Sequence, residues 1–140
     1  MSKKLKSSGL DNQGERLHTH LSKDDPTEKL PPKFCLRDMR PKYSLVRCNK
    51  DEKAAFAGRL FELSRSTWSQ LRQMPRNGQG WEVIPQDAIK GDGLPSHLSE
   101  DVRFLAFRCC GKAPMVGYRS KDGVFNILWI DRDVTLYDHG

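Results

Sequence analysis

Residues 102–130, VRFLAFRCCGKAPMVGYRSKDGVFNILWI, hold three apolar runs parted by two short turns, and this stretch constrains the fold most. Each run has the length of an ordinary strand. Lys121–Asp122–Gly123 is a hairpin signal, because Asp-Gly readily takes the positive φ that a tight turn needs. Gly111–Lys112 supplies the turn before the middle run. Runs joined this closely pair antiparallel, as a meander of at least three strands. Alternation then assigns faces. Val102, Phe104, Ala106 and Arg108 share one face of the first strand, opposite Arg103, Leu105 and Phe107. Met115, Gly117 and Arg119 oppose Val116 and Tyr118 in the second, and Phe125, Ile127 and Trp129 oppose Val124, Asn126, Leu128 and Ile130 in the third.

Upstream of the meander lies a helix signal. Asn49 stands where an N-cap is needed, with Asp51 and Glu52 in the first turn, and Asn49 with Glu52 has capping-box spacing. Phe56, Leu60, Leu63, Thr67, Leu71 and Met74 recur at three- and four-residue steps and share a helical face, which Phe61 and Trp68 broaden. The weak helix formers Ser64–Arg65–Ser66–Thr67 make this either one long helix or two helices hinged there, with Ser64 or Ser66 as the second cap. Pro75 and RNGQG end it. Tyr43, Leu45 and Val46 read as a short strand before the helix, ending near Cys48; Trp81–Ile84 reads as an apolar turn and Gln86–Lys90 as a helical turn. The fold class is therefore α+β: a short N-terminal strand, then a helix or helical hairpin, packed on an antiparallel meander.

The ordered domain is expected over residues 33–140. Residues 1–32 read as a flexible polar tail with no aromatic residue, closed by DDPTEKLPPK, because such a segment cannot bury enough apolar surface to offset its ordering entropy. His18 and His20 stand at i, i+2, a spacing that suits metal ligation from a strand but not from a helix. The net charge of +6 fits nucleic acid, a ribosome, an acidic protein or an anionic surface as partner. No apolar run approaches the roughly 20 residues of a membrane span. MSKKLKSSGL lacks the apolar stretch of a secretory signal. The four cysteines show no CxxC pair and are expected as reduced thiols in a cytoplasm, without structural zinc.

A sheet covered by helices on one face leaves the other face for function. Arginine, tyrosine and histidine on such a face are the tools of RNA cleavage. A base activates the 2′-hydroxyl, a cation holds the phosphorane, and an acid protonates the 5′-oxygen, with no metal or cofactor required. Tyr137 and His139 share a face if the chain stays extended to residue 139, with Asp138 turned away. His97, after Pro95, can also approach the sheet.

This order of elements, with AFRCCGKAPMVGYR, the turn KDG and VFNILWIDRDVTLYDH, resembles the RelE/ParE superfamily of small bacterial toxins, which includes RelE-, HigB- and YoeB-like ribonucleases. The similar stretch runs from about Tyr43 to His139. The resemblance implies a toxin of the toxin–antitoxin type, a metal-independent endoribonuclease that inhibits translation, with RNA or the ribosome and a cognate antitoxin as partners. It assigns proton transfer to Tyr137 and His139, transition-state stabilisation to Arg119, and phosphate contacts to Arg108 or Lys112, with Arg103 as a further basic residue on the first strand. This chain departs from the family in carrying Ala113–Pro114–Met115 where relatives place an arginine at the start of the middle strand. ParE-like members act on gyrase and not on RNA, so the same fold also implies a non-catalytic binding protein or an inactive regulatory relative.

Overall fold

The computed structural model describes residues 25–75, 78–90 and 94–138. Strand β1 spans Lys33–Cys35. Helix α1 spans Lys50–Ser64 and helix α2 spans Trp68–Arg72. Strands β2 (Glu82–Ile84), β3 (Phe104–Cys110), β4 (Ala113–Arg119) and β5 (Val124–Ile130) follow. The five strands form one sheet in the order β1–β5–β4–β3–β2. The meander β3–β4–β5 is antiparallel as expected, and β2 extends it antiparallel on β3. β1, however, pairs parallel with β5, Phe34 opposite Phe125, so the sheet is mixed rather than antiparallel throughout.

The helical region is a hairpin. Asn49 and Glu52 form the expected capping box, each side chain accepting the other's backbone N–H at 2.8 Å. The break falls at residues 65–67. The second cap is Thr67 rather than Ser64 or Ser66, in a capping box with Gln70. The expected strand over Tyr43–Val46 is instead a pair of 3-10 turns, Pro41–Tyr43 and Leu45–Arg47; Pro41 sets the first, and the strand lies earlier, at β1. Trp81–Ile84 yields the strand β2 rather than a turn.

Alternation holds through β3 and β4 and breaks in β5. Ile127 pairs with Gly117 and Trp129 with Val116, which leaves Leu128 as the extra residue of a bulge. The register there requires glycine at 117, where a Cβ would sit 2.0 Å from the Asn126 carbonyl oxygen. Beyond the bulge the faces exchange: Ile130 joins Phe125 and Ile127 on the helix side, while Trp129 crosses to Phe104, Val116 and Tyr118.

Two cores result, one on each face of the sheet. α1 and α2 cover the first with Phe56, Leu63, Trp68 and Leu71. The second face, expected open, is covered as well. After β5 the chain doubles back and lays Leu136 and Tyr137 on the sheet, joined by Ile84, Ile89, Leu98 and Tyr43. Asp131 holds that return. Its fully buried carboxylate accepts the Thr135 N–H at 3.0 Å and the Leu136 N–H at 2.9 Å. Val134 takes φ 58° within the turn, a costly conformation for a β-branched residue that those bonds enforce. Every residue of β4 is consequently buried.

Residues 25–32, read from sequence as the close of a tail, belong to the fold. Asp25 caps the 3-10 turn Pro26–Lys29, and Glu28 within that turn is buried. The rest of the expected tail, with His18 and His20, lies outside the described residues.

Candidate functional site

Arg119 and Tyr137, expected to carry chemistry, are structural. Alternation correctly sets Arg119 on the face of Met115, but that is the helix-covered face. Its guanidinium is fully buried, 4.4 Å over the Trp68 ring. Arg119 Nη1 donates to Glu28 Oε2 at 2.6 Å and Nη2 donates to Thr27 Oγ1 at 2.6 Å. Arg72 grips the same carboxylate through Nε at 3.0 Å and Nη2 at 2.8 Å. Burial alone would raise the Glu28 pKa, yet the hydrogen bonds and charges of Arg72 and Arg119 outweigh it and hold the carboxyl below its ordinary value. Burial lowers the Arg119 pKa against the pull of Glu28 and Asp25. This guanidinium clamps residues 25–30 to the sheet and cannot reach a substrate.

Tyr137 is 4% exposed in the second core, so its expected place on an open face is corrected by the return turn that buries it. Its partner in the sequence reading, His139, lies outside the described residues. Arg108 and Lys112 are exposed, but at the β3–β4 turn. Arg103 is exposed at the other end of β3, five residues or about 17 Å from Arg108. The three basic residues therefore do not form one phosphate site.

A different cluster converges at the Arg103 end of the sheet. Leu105 pairs with Gly117, so Tyr118 lies level with the start of β3. Tyr118 is 5% exposed, and its hydroxyl meets His97 Nε2 at 3.2 Å. Pro95, buried, and the turn in which the Leu98 N–H bonds the Pro95 carbonyl at 3.2 Å present the exposed His97 to it. From the other side comes Arg40, fixed by its backbone N–H to the carbonyl of Leu128 at 2.8 Å. The bulge residue of β5 thus positions an arginine. Asp38, Arg40, Leu94, Pro95, Ser96 and His97 line a cleft of about 300 Å³. Arg40 Nε, like the Nε of the clamp residue Arg119, is buried without a hydrogen-bond partner among the described residues.

Burial, with Asp38, Cys35 and Asp122 adding to it, holds the Tyr118 phenol above its ordinary pKa. The hydroxyl therefore stays protonated. It can donate to a bare Nε2 or accept from Nε2–H; in the second arrangement the neutral imidazole keeps Nδ1 as a proton acceptor. Arg40 and His97 line the cleft, and the Tyr118 phenol holds His97 from outside its lining; a guanidinium and an imidazole so placed can bind a phosphate and exchange a proton beside it. His97 is legible in the sequence as a residue able to approach the sheet. Arg40 and Asp38 are not, and their one local signal is Pro41, which ends the extended segment that carries them.

The four cysteines are free thiols. Burial, with Cys110 and Cys48 beside it, pushes the Cys109 thiol up, which suppresses the reactive thiolate. Among the described residues no group of three or more His, Cys, Asp or Glu is placed to hold a metal ion, and no helix is long and apolar enough to cross a membrane. No family model, no curated protein and no solved structure matches the chain.

Proposed function

We propose that the protein is a metal-independent endoribonuclease of the translation-inhibiting toxin kind, restrained by a partner antitoxin, and that its chemistry is carried by His97, Tyr118 and Arg40. The observation behind this reading is the His97–Tyr118 hydrogen bond at a cleft that Arg40 shares. The net charge of +6 supports an RNA ligand. In the proposed step His97 Nδ1 takes the 2′-hydroxyl proton and the 2′-oxygen attacks the adjacent phosphorus. The bond to the 5′-oxygen breaks, and that oxygen takes a proton from the imidazolium or water. The products are a 2′,3′-cyclic phosphate and a 5′-hydroxyl. Arg40 neutralises charge on the phosphorane, and Tyr118 fixes the imidazole.

Purified protein incubated with mixed-sequence RNA in EDTA is expected to leave cyclic-phosphate ends, and His97→Ala is expected to lose about 100-fold or more in rate. No cleavage by the wild type, or full cleavage by His97→Ala, contradicts the reading.

A second reading is a non-catalytic binding protein, acting on gyrase, another protein or nucleic acid, or an inactive regulatory relative. The absorption of Arg119 and Tyr137 into the core favours it, because it removes two of three expected catalytic groups from solvent. In that case induction of His97→Ala affects growth as the wild type does, whereas Arg40→Glu abolishes the effect.

A further inference from the structure

Two more hollows adjoin the cleft. One, of about 460 Å³, is lined by Gln86, Asp87, Leu94, Glu100, Asp101 and Arg103 among others. The next, of about 240 Å³, is lined by Arg72, Trp81, Val83 and Arg103. Leu94 is a wall of both the cleft and the first hollow, and Arg103 is a wall of both hollows. The three therefore follow one another over the end of the sheet where β2 stops and β3 starts, from the face of Tyr118 to the face of the helices.

We infer that these hollows form one track for single-stranded RNA, with Arg103 and Trp81 holding a nucleotide away from the His97 cleft; this deepens the reading proposed above and rests on it. The chemistry of the far hollow fits a nucleotide. The Arg72 guanidinium lies 5.4 Å over the Trp81 ring while Glu28 holds its Nε and Nη2, so a fixed cationic plane and a half-buried indole both wall the hollow. Bases stack on such planes without needing a particular sequence. Arg72 is committed to Glu28, whereas Arg103 is exposed and forms no hydrogen bond or ion pair with any described residue, which leaves it for a phosphate.

The middle hollow sets the strand's orientation. Asp87, Glu100 and Asp101 repel phosphate, so the backbone runs outside and a base faces inward. Gln86 spends its amide nitrogen on the carbonyls of Ser99 at 2.6 Å and Val102 at 2.7 Å, which leaves its oxygen as an acceptor. A wall of acceptors matches an exocyclic amino group, which adenine, cytosine and guanine carry and uracil lacks.

Fluorescence anisotropy with labelled 2′-O-methyl oligonucleotides, which cannot be cleaved through the 2′-oxygen, tests the track independently of catalysis. Arg103→Glu is expected to weaken oligo(A) and oligo(C) binding about tenfold or more, while Lys53→Glu, the same charge change on exposed α1, costs much less. Oligo(U) is expected to bind more weakly than either. With cleavable RNA, Arg103→Glu is expected to raise KM and spare kcat, and His97→Ala to do the reverse. Equal losses from Arg103→Glu and Lys53→Glu, no loss from Arg103→Glu, or preference for oligo(U) would overturn the inference. Wild-type protein that binds the oligonucleotides through Arg103 yet cleaves no RNA would sink the nuclease reading and leave the track standing.

Discussion

The two faces of the sheet are covered in different ways. Regular helices cover one, and there the arginine of β4 is drawn into a buried network with Glu28, Arg72, Thr27 and Trp68. Irregular segments cover the other, pinned by Asp131, and at its end a gap remains that His97 and Arg40 line, with Tyr118 bonded to His97. The same residue types thus do opposite work. A fully buried arginine bonded to a buried carboxylate is architecture; a part-exposed arginine that lines a cleft with an exposed histidine is the one proposed to meet a ligand.

The strongest way to break this contrast is at the clamp. Arg119→Ala removes a fully buried side chain with its bonds to Glu28 and Thr27, leaves Glu28 to Arg72 alone, and is expected to destabilise by about 3 kcal/mol in urea unfolding at pH 7. The clamp also has a pH signature. Because the folded pKa of Glu28 lies below its unfolded value, its contribution is present above the ordinary value of 4.5 and is lost as pH falls through the folded pKa. Glu28→Gln should therefore flatten the acid limb of a stability–pH curve, and an unchanged acid limb would contradict the clamp.

Tyr137→Ala comes next, at about 3 kcal/mol, since it removes a core ring from the second face. A change within about 0.5 kcal/mol would return Tyr137 to the surface. Asp131→Ala is expected to cost about 2 kcal/mol by stranding two backbone N–H groups, with faster hydrogen exchange at Thr135 and Leu136. Smallest in stability is His97→Ala, within about 0.5 kcal/mol, because the side chain is exposed. A large loss there would make the His97–Tyr118 bond part of the core.

Local signals carried much of the fold. The box at Asn49 and Glu52, the turn at Asp122–Gly123, where Gly123 takes φ 84°, and the alternation of β3 and β4 all depend on neighbours in sequence. What the sequence hid depends on distant partners. β1 is three residues long and exists through its pairing with β5, and Glu28 is 91 residues from Arg119 in a segment of tail-like composition. The bulge at Leu128 is a misfit between two strands, so no pattern within β5 reveals that Trp129 and Ile130 exchange faces. The candidate site was half legible for the same reason. His97 was legible as a residue able to approach the sheet, whereas Tyr118 had only a strand face, and nothing near Arg40 shows that a bulge carbonyl will fix it beside them.

RNA cleavage by Tyr137→Phe and His97→Ala, measured side by side on protein shown to be folded, decides whether the chemistry sits at the His97 cleft. Tyr137→Phe is expected to cleave like the wild type, while His97→Ala is expected to lose about 100-fold or more. Loss of cleavage in Tyr137→Phe with full cleavage in His97→Ala would contradict that placement and return the chemistry to the end of the chain.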